Sequence, residues 1–331
     1  MRNSRSIQIL GGAAAVAVLP LFVTSNYQLA ILTFIAINTI VVVGLNLLMG
    51  FAGQISLGHA AFFGLGAYTS AVLTTRYQLS PWLGILAGIG LTSAVAFLVG
   101  LPCLRLKGHY LAMATLGVGW IANIVMTHWE PVTLGSSGIQ SIPKLAIGAF
   151  QFTSDKSHFY LAWVAALVVL AISLNLVDSR VGRAIRALHG SERAASTLGV
   201  DVARMKVAVF VVSAAFASLA GSLYAHTVNF ISPSAFGFLL SVEIVVMAVI
   251  GGMASVWGAV LGAGAITLLV EWLRAVGQAV PSLQNLEMVA HGAILMLVML
   301  VLPAGLVSGI GRLLTRRQRG RWRADDPATG P

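Results

Sequence analysis

The chain has 331 residues, 58% of them hydrophobic and only 9% charged, with a mean hydropathy of +0.90. Soluble domains carry roughly a quarter charged residues, so this composition excludes a soluble enzyme or a freely diffusing binding module. It predicts an all-α integral membrane protein, a polytopic helical bundle of about eight to ten transmembrane helices at about 20 residues per span.

Ten apolar segments follow in chain order, roughly 7–24, 28–49, 55–75, 82–102, 110–128, 158–177, 207–229, 238–252, 255–273 and 289–310. With the N-terminus inside, every basic residue of the 20 except Arg76, Lys144, Lys156 and Arg274 falls on the inner side. Insertion favours that arrangement, which places both termini in the cytoplasm and the lipid bilayer around residues 1–311. The net charge of +10 is therefore accounted for by inner-face clusters, and nucleic acid is not an expected partner. Segment 7–24 serves either as an uncleaved span or as a leader, and the sidedness downstream is the same in both cases. Residues 312–331 form a basic tail without apolar periodicity, expected to be disordered. The lone Cys103 excludes an intrachain disulfide.

The second segment runs into a stretch unlike a plain span. Asn46, Gln54, Ser56 and His59 fall among Gly50, Gly53, Gly58, Gly64 and Gly66. Glycines permit either close helix packing or a break that frees backbone groups beside a translocation path. A broken or re-entrant span with these four polar side chains on the path is one expectation; a packed helix with a hydrogen-bonded His59 is the other.

Between the fifth and sixth segments, residues 129–157 form an external loop rich in turn formers, expected to pack as a lid or vestibule. The inner loop, 178–206, is basic but contains a helical signal. Ser191 suits an N-cap, Glu192 the positive first turn and Gly199 the C-terminal stop, which predicts a helix of about seven residues. Ala194, Ala195 and Leu198 would let a partner approach, so the loop is either a docking helix or a solvated connector.

Glu243 lies near the outer end of the eighth segment, where a carboxylate is expensive and ordinarily faces a cavity, a partner or water. His226, Asn229 and His291 are expected at similar depth and would complete a polar cluster with it. Glu271 and Arg274, three apart, are expected as a surface pair. Gly251 and Gly252 mark a tight inner turn, and Gly258 and Gly262, four apart, form a packing face.

The segment "ERAASTLG" (192–199) resembles the EAA coupling motif of ATP-binding-cassette importer permeases. "GRAIRALHGSERAASTLG" (182–199), "GLNLLMGFAGQISLGHAAFFGLGAY" (44–68), "LKGHYLAMATLG" (106–117), "GGMASVWGAVLGA" (251–263) and "PAGL" (303–306) resemble the LivM-type permeases of branched-chain amino acid importers, in order along most of the chain. Departures are Gly119-Trp120 where the family often has Gly-Glu, "VTLGSSGI" before the external loop, and His189-Gly190-Ser191 before the coupling helix. The resemblance implies an importer permease of the bacterial inner membrane, with coupling through Glu192, Ala194, Ala195, Leu198 and Gly199. It also implies a second homologous permease, two cytoplasmic ATP-binding subunits carrying ATP and Mg, and an extracytoplasmic substrate-binding protein. The cargo it implies is branched-chain or other hydrophobic amino acids; related permeases take urea, short amides or small carboxylates.

None of the four lysines lies in a G-x-x-x-x-G-K-[ST] loop, so no nucleotide site, and no catalytic or metal cluster, is expected in this chain. An ion-coupled carrier built on Glu243 is the alternative from a different class.

Overall fold

The computed structural model describes residues 25–147 and 150–279, together with 11–12, 14, 16–20 and 292. The expected segment 289–310 and the tail 312–331 lie outside the described residues but for 292, and segment 7–24 is described only in part.

Among the described residues from 25 on, ten helices of six residues or more carry the fold: α1 (Asn26–Asn46), α2 (His59–Thr75), α3 (Pro81–Cys103), α4 (His109–His128), α5 (Asp155–Asp178), α6 (Arg180–Gly190), α7 (Glu192–Thr197), α8 (Val202–Val228), α9 (Phe238–Gly251) and α10 (Val256–Ala279). Among the described residues, six helical stretches are long and apolar enough to cross a membrane, namely α1 continued to Phe51, α3, α4, α5, α8 and α10 to Ala275. Local chemistry sets their ends. Ser80, Ser154 and Asp201 accept hydrogen bonds from the first-turn amides of α3, α5 and α8. Each supplies an acceptor to a donor that would otherwise be orphaned.

The break before His59 takes the first of the two alternatives stated above, and α9 corresponds to the expected segment 238–252. α1 passes into a π-helical turn, Leu47–Phe51, and residues 52–58 are not helical, so α2 begins at His59 rather than near 55. α9 has only 14 residues, and the segment before it, with a 3-10 turn at Pro233–Phe236, packs against α2 and α4. Within 129–157 lie short turns at Glu130–Thr133 and Gly135–Ser137 and a two-residue hairpin, β1 (Ala146–Ile147) with β2 (Phe150–Gln151). An isolated bridge, Ile139 to Ile231, ties this loop to the end of α8. The inner loop is largely helical: α6 precedes α7 and was not anticipated, although its apolar positions Ile185 and Leu188 are buried.

The core centres on α8, which packs on α1, α2 and α3. Lipid is as apolar as leucine, so helices in a membrane associate through close backbone approach and hydrogen bonds. α8 supplies both. Ser213, Ser218, Ser222 and His226 are fully buried, and they bond His59 (2.7 Å), Thr92 (3.1 Å), the Gly66 carbonyl (3.0 Å) and Ser70 (2.8 Å). At Gly221 an added Cβ would overlap the Phe63 carbonyl and lie 3.2 Å from the Ala67 nitrogen. Overpacking usually costs about 1–3 kcal/mol, and backbone cannot yield as a side chain does. Gly221→Leu is therefore expected to lower the thermal stability of the detergent-purified protein sharply. Gly90→Ala, where nothing lies within 4 Å, should leave it unchanged.

The antiparallel order brings Arg105, Lys107, α6, α7 and the start of α8 to one end of the bundle, the basic end. Arg76, Lys144, Lys156 and Arg274 belong to loops and helix ends on the opposite side.

Candidate functional site

At the basic end, α7 is a short helix capped by Ser191, whose Oγ accepts from Ala194 N at 3.3 Å. It closes on Gly199, whose φ of +81° is in the left-handed region that glycine enters without strain. Ala195 faces inward at 1% exposure, whereas Ala194, Ser196 and Gly199 are exposed and Leu198 stands 80% exposed. An isolated leucine so exposed beyond a polar turn is an apolar knob that no described residue covers.

Glu192 anchors this knob. Lys107, after α3, reaches its carboxylate at 2.9 Å, and Lys206, buried on the first turns of α8, pairs with the other oxygen. Partial burial raises the Glu192 pKa, but hydrogen bonds from Lys206 and Lys107 outweigh that and hold it below the ordinary carboxylate value. The sign follows from linkage. A depressed folded pKa contributes stability that is full above the ordinary carboxylate range and is lost as pH falls through the lowered pKa. Glu192→Gln should therefore accelerate amide exchange over 193–199 at neutral pH by about tenfold and abolish the acid-induced rise. Equal exchange in the two proteins would show that the pair does not hold α7. The pairing of the two lysines with Glu192 was invisible to motif reading, because each lies beside a different span.

A second set surrounds the non-helical 52–58. His59 bridges Ser56 (3.1 Å) and Ser213 (2.7 Å), while Leu57 N donates to Thr115 Oγ1 (3.0 Å) and Ala60 N to Ser241 Oγ (3.1 Å). Side chains of neighbouring helices thus satisfy backbone groups freed by the break. Gln54 is only 3% exposed, yet neither amide atom has a hydrogen-bond partner among the described residues. Buried polar groups are ordinarily satisfied, so Gln54 is an exception, one it shares with Tyr68, His158 and Ser173 elsewhere in the bundle. Asn46 lies apart from this set: its amide donates to Ser255 O (2.7 Å) and accepts from Ala254 N (2.8 Å), joining α1 to the α9–α10 turn.

The glycines divide by setting. Gly58, Gly64 and Gly66 lie against Thr115, Met126 and Ser218, and Gly251, Gly258 and Gly262 bring the α9 and α10 backbones into contact. Gly53 (φ +67°, beside His189) and Gly252 (φ +104°) are turn residues.

The third set is a cavity of about 340 Å³ in the half of the bundle away from the basic end. That falls within the roughly 300–1,000 Å³ of small-molecule sites. Glu243, Glu271 and Arg274 line it with Asn38 and Thr267, and the last two share a hydrogen bond of 3.0 Å. Arg274 pairs with Glu271 at 3.4 Å, and Tyr27 donates to the same glutamate. The apolar wall is aromatic: Tyr224 contacts Phe34, Phe63 and Phe236 with ring centroids 6.1, 5.6 and 6.2 Å apart. The cavity thus offers carboxylates, a guanidinium and an apolar surface together. The Glu271–Arg274 pair, expected on an outer surface, is part of it. His226 is not: its ring bonds Ser70 and the Pro143 carbonyl (2.7 Å). Asn229 caps α8 in a left-handed conformation (φ 60°), and His291 lies outside the described residues. The expected cluster with Glu243 is therefore not formed by His226 and Asn229.

Comparison with known proteins gives a concordant result. Residues 27–302 match the family model described as "Branched-chain amino acid transport system / permease component". The chain is similar to the high-affinity branched-chain amino acid transport system permease protein LivM of Salmonella typhimurium, 33% identical over 310 residues, covering 86% of this chain and 71% of the relative. It is 27% identical to LivH of Escherichia coli (strain K12) and to BraD of Pseudomonas aeruginosa, each alignment covering 81% of this chain and 90% of the relative. No solved structure matches it.

Proposed function

The chain belongs to the family of permease components of branched-chain amino acid transport systems, and from that premise we propose that it is the membrane permease subunit of an ATP-binding-cassette importer for branched-chain or other hydrophobic amino acids. In this reading the basic end faces the cytoplasm. Two ATP-binding subunits dock there and bring ATP and Mg, a second homologous permease completes the path, and an external binding protein delivers the cargo.

The observation that carries the reading is α7, with Leu198 80% exposed at the C-terminal end of a helix tied through Glu192 to the ends of two spans. An apolar knob on a braced lever suits a groove on a soluble partner. Displacing α7 would pull on the loop after α3 and on the start of α8, and α8 packs on α1, α2 and α3. The cavity beside Glu243 supports the cargo class. A zwitterionic amino acid would set its ammonium against Glu243, its carboxylate against Arg274 and its side chain on the aromatic wall. Gln54 and the His59 set would line the far half of the path.

Uptake of labelled leucine by cells carrying this chain and its partners tests the energy source. It should collapse on ATP depletion by arsenate and persist with an ionophore; the reverse would identify an ion-coupled carrier.

A further inference from the structure

A groove of about 700 Å³ lies between the ends of α3 and α8 at the basic end, sharing only Lys206 with the sets above. Phe97 and Leu101 of α3 form one wall, Val207 and Val211 of α8 the other. It follows α8 from Ala203 to Val212, about 13 Å at 1.5 Å per residue. Phe97 is 49% and Leu101 45% exposed, so the groove opens outward at hydrocarbon depth. In a bilayer such a surface is covered by acyl chains or by another apolar segment.

The mouth decides between them. Arg105 and Arg204 stand at the end of the groove where the two spans meet the membrane interface, with Lys206 beneath. Four cations gather at this corner (Arg105, Lys107, Arg204 and Lys206), while the carboxylates paired to them are Glu192 and Asp201. Arg105 has no ion pair among the described residues, and Arg204, 89% exposed, shares Asp201 at 3.2 Å. An apolar slot ending at headgroup level in a corner where four cations meet two carboxylates, with Arg105 free of an ion pair among the described residues, complements a phospholipid whose headgroup is anionic.

We propose that the α3–α8 groove is a binding site for one anionic phospholipid, its acyl chain against Phe97, Leu101, Val207 and Val211 and its headgroup on Arg105 and Arg204. The site is independent of the cargo. It adjoins Lys206, so a bound headgroup braces the same corner that anchors α7.

The test uses the full-length chain, purified with its accompanying subunits and delipidated in detergent. Dioleoylphosphatidylglycerol and dioleoylphosphatidylcholine are titrated in turn, and bound lipid is read by native mass spectrometry and thermal stability. Phosphatidylglycerol should bind about tenfold more tightly, with free phosphate at the same concentration inert. The double variant Arg105→Gln/Arg204→Gln should erase the preference while retaining phosphatidylcholine. Val211→Trp, which fills the slot and alters no charge, should weaken both lipids. A photoreactive residue at Phe97 should form a lipid-sized adduct in native membranes. Equal affinity for the two lipids, a preference that survives the double variant, or cross-linking of position 97 to a protein would overturn the proposal, the last by identifying the groove as a subunit interface.

Discussion

Leu198→Asp should abolish uptake, by more than about tenfold, while the protein remains in the membrane at its normal level. Leu198 is 80% exposed and α7 is held from below, so the substitution leaves the chain's own packing untouched. In the proposed docking groove, the charge would lose the burial of one leucine, about 1.5–3 kcal/mol, and add the desolvation of an unpaired carboxylate. Together these exceed the 1.4 kcal/mol of a tenfold change. Leu198→Met should be nearly silent, because it keeps volume and polarity. Uptake of labelled leucine, normalised to membrane-localised protein, reads both. Wild-type uptake by Leu198→Asp would remove Leu198 from the docking surface. Ala195 is a poor choice for this purpose. At 1% exposure it faces the protein, so Ala195→Glu would disturb α7 itself and say nothing of a partner.

Substitutions in the cavity should act differently. Arg274→Gln removes the group proposed to bind the cargo carboxylate, and a hydrogen bond to a charged group is worth about 1.5–3 kcal/mol. The concentration of substrate needed for half-maximal uptake should therefore rise roughly ten- to a hundredfold. Glu243→Gln should act in the same direction through the ammonium, whereas Arg274→Lys, retaining charge but not the planar fork, should fall between. The contrast with Leu198→Asp is diagnostic. The cavity variants shift the concentration dependence of uptake, and the docking variant lowers its ceiling. If Arg274→Gln and Glu243→Gln both leave the concentration dependence unchanged, the cavity is not on the path.

How much of this was legible in the sequence depends on the range of the interactions involved. The membrane class, the order of the spans and the capped helix at 192–197 rest on local features, such as apolar runs, Ser191, Glu192 and Gly199, and those are readable along the chain. The break before His59 was legible only as a pair of alternatives. What decides it is Thr115 and Ser241, 58 and 181 positions away, which satisfy the freed amides. The inward face of Ala195 and the pairing of Glu192 with Lys107 and Lys206 likewise depend on elements that meet only in the folded bundle. Glu271 and Arg274 illustrate the same point. Their i,i+3 spacing identified the pair, but the cavity it borders is closed by α1, α8 and α9. His226 was misplaced for a related reason. Depth along a span was estimated correctly enough, but rotation about the helix axis was not, and its ring turns toward Ser70 and Pro143.

The central claim, that this permease is driven by separate ATP-binding subunits, is tested most directly by purifying the tagged chain from its native membrane in mild detergent and identifying its companions by mass spectrometry. The account predicts stoichiometric recovery of ATP-binding subunits and a second permease of the same family. Reproducible recovery of the chain alone, in preparations where a control importer stays assembled, would contradict it.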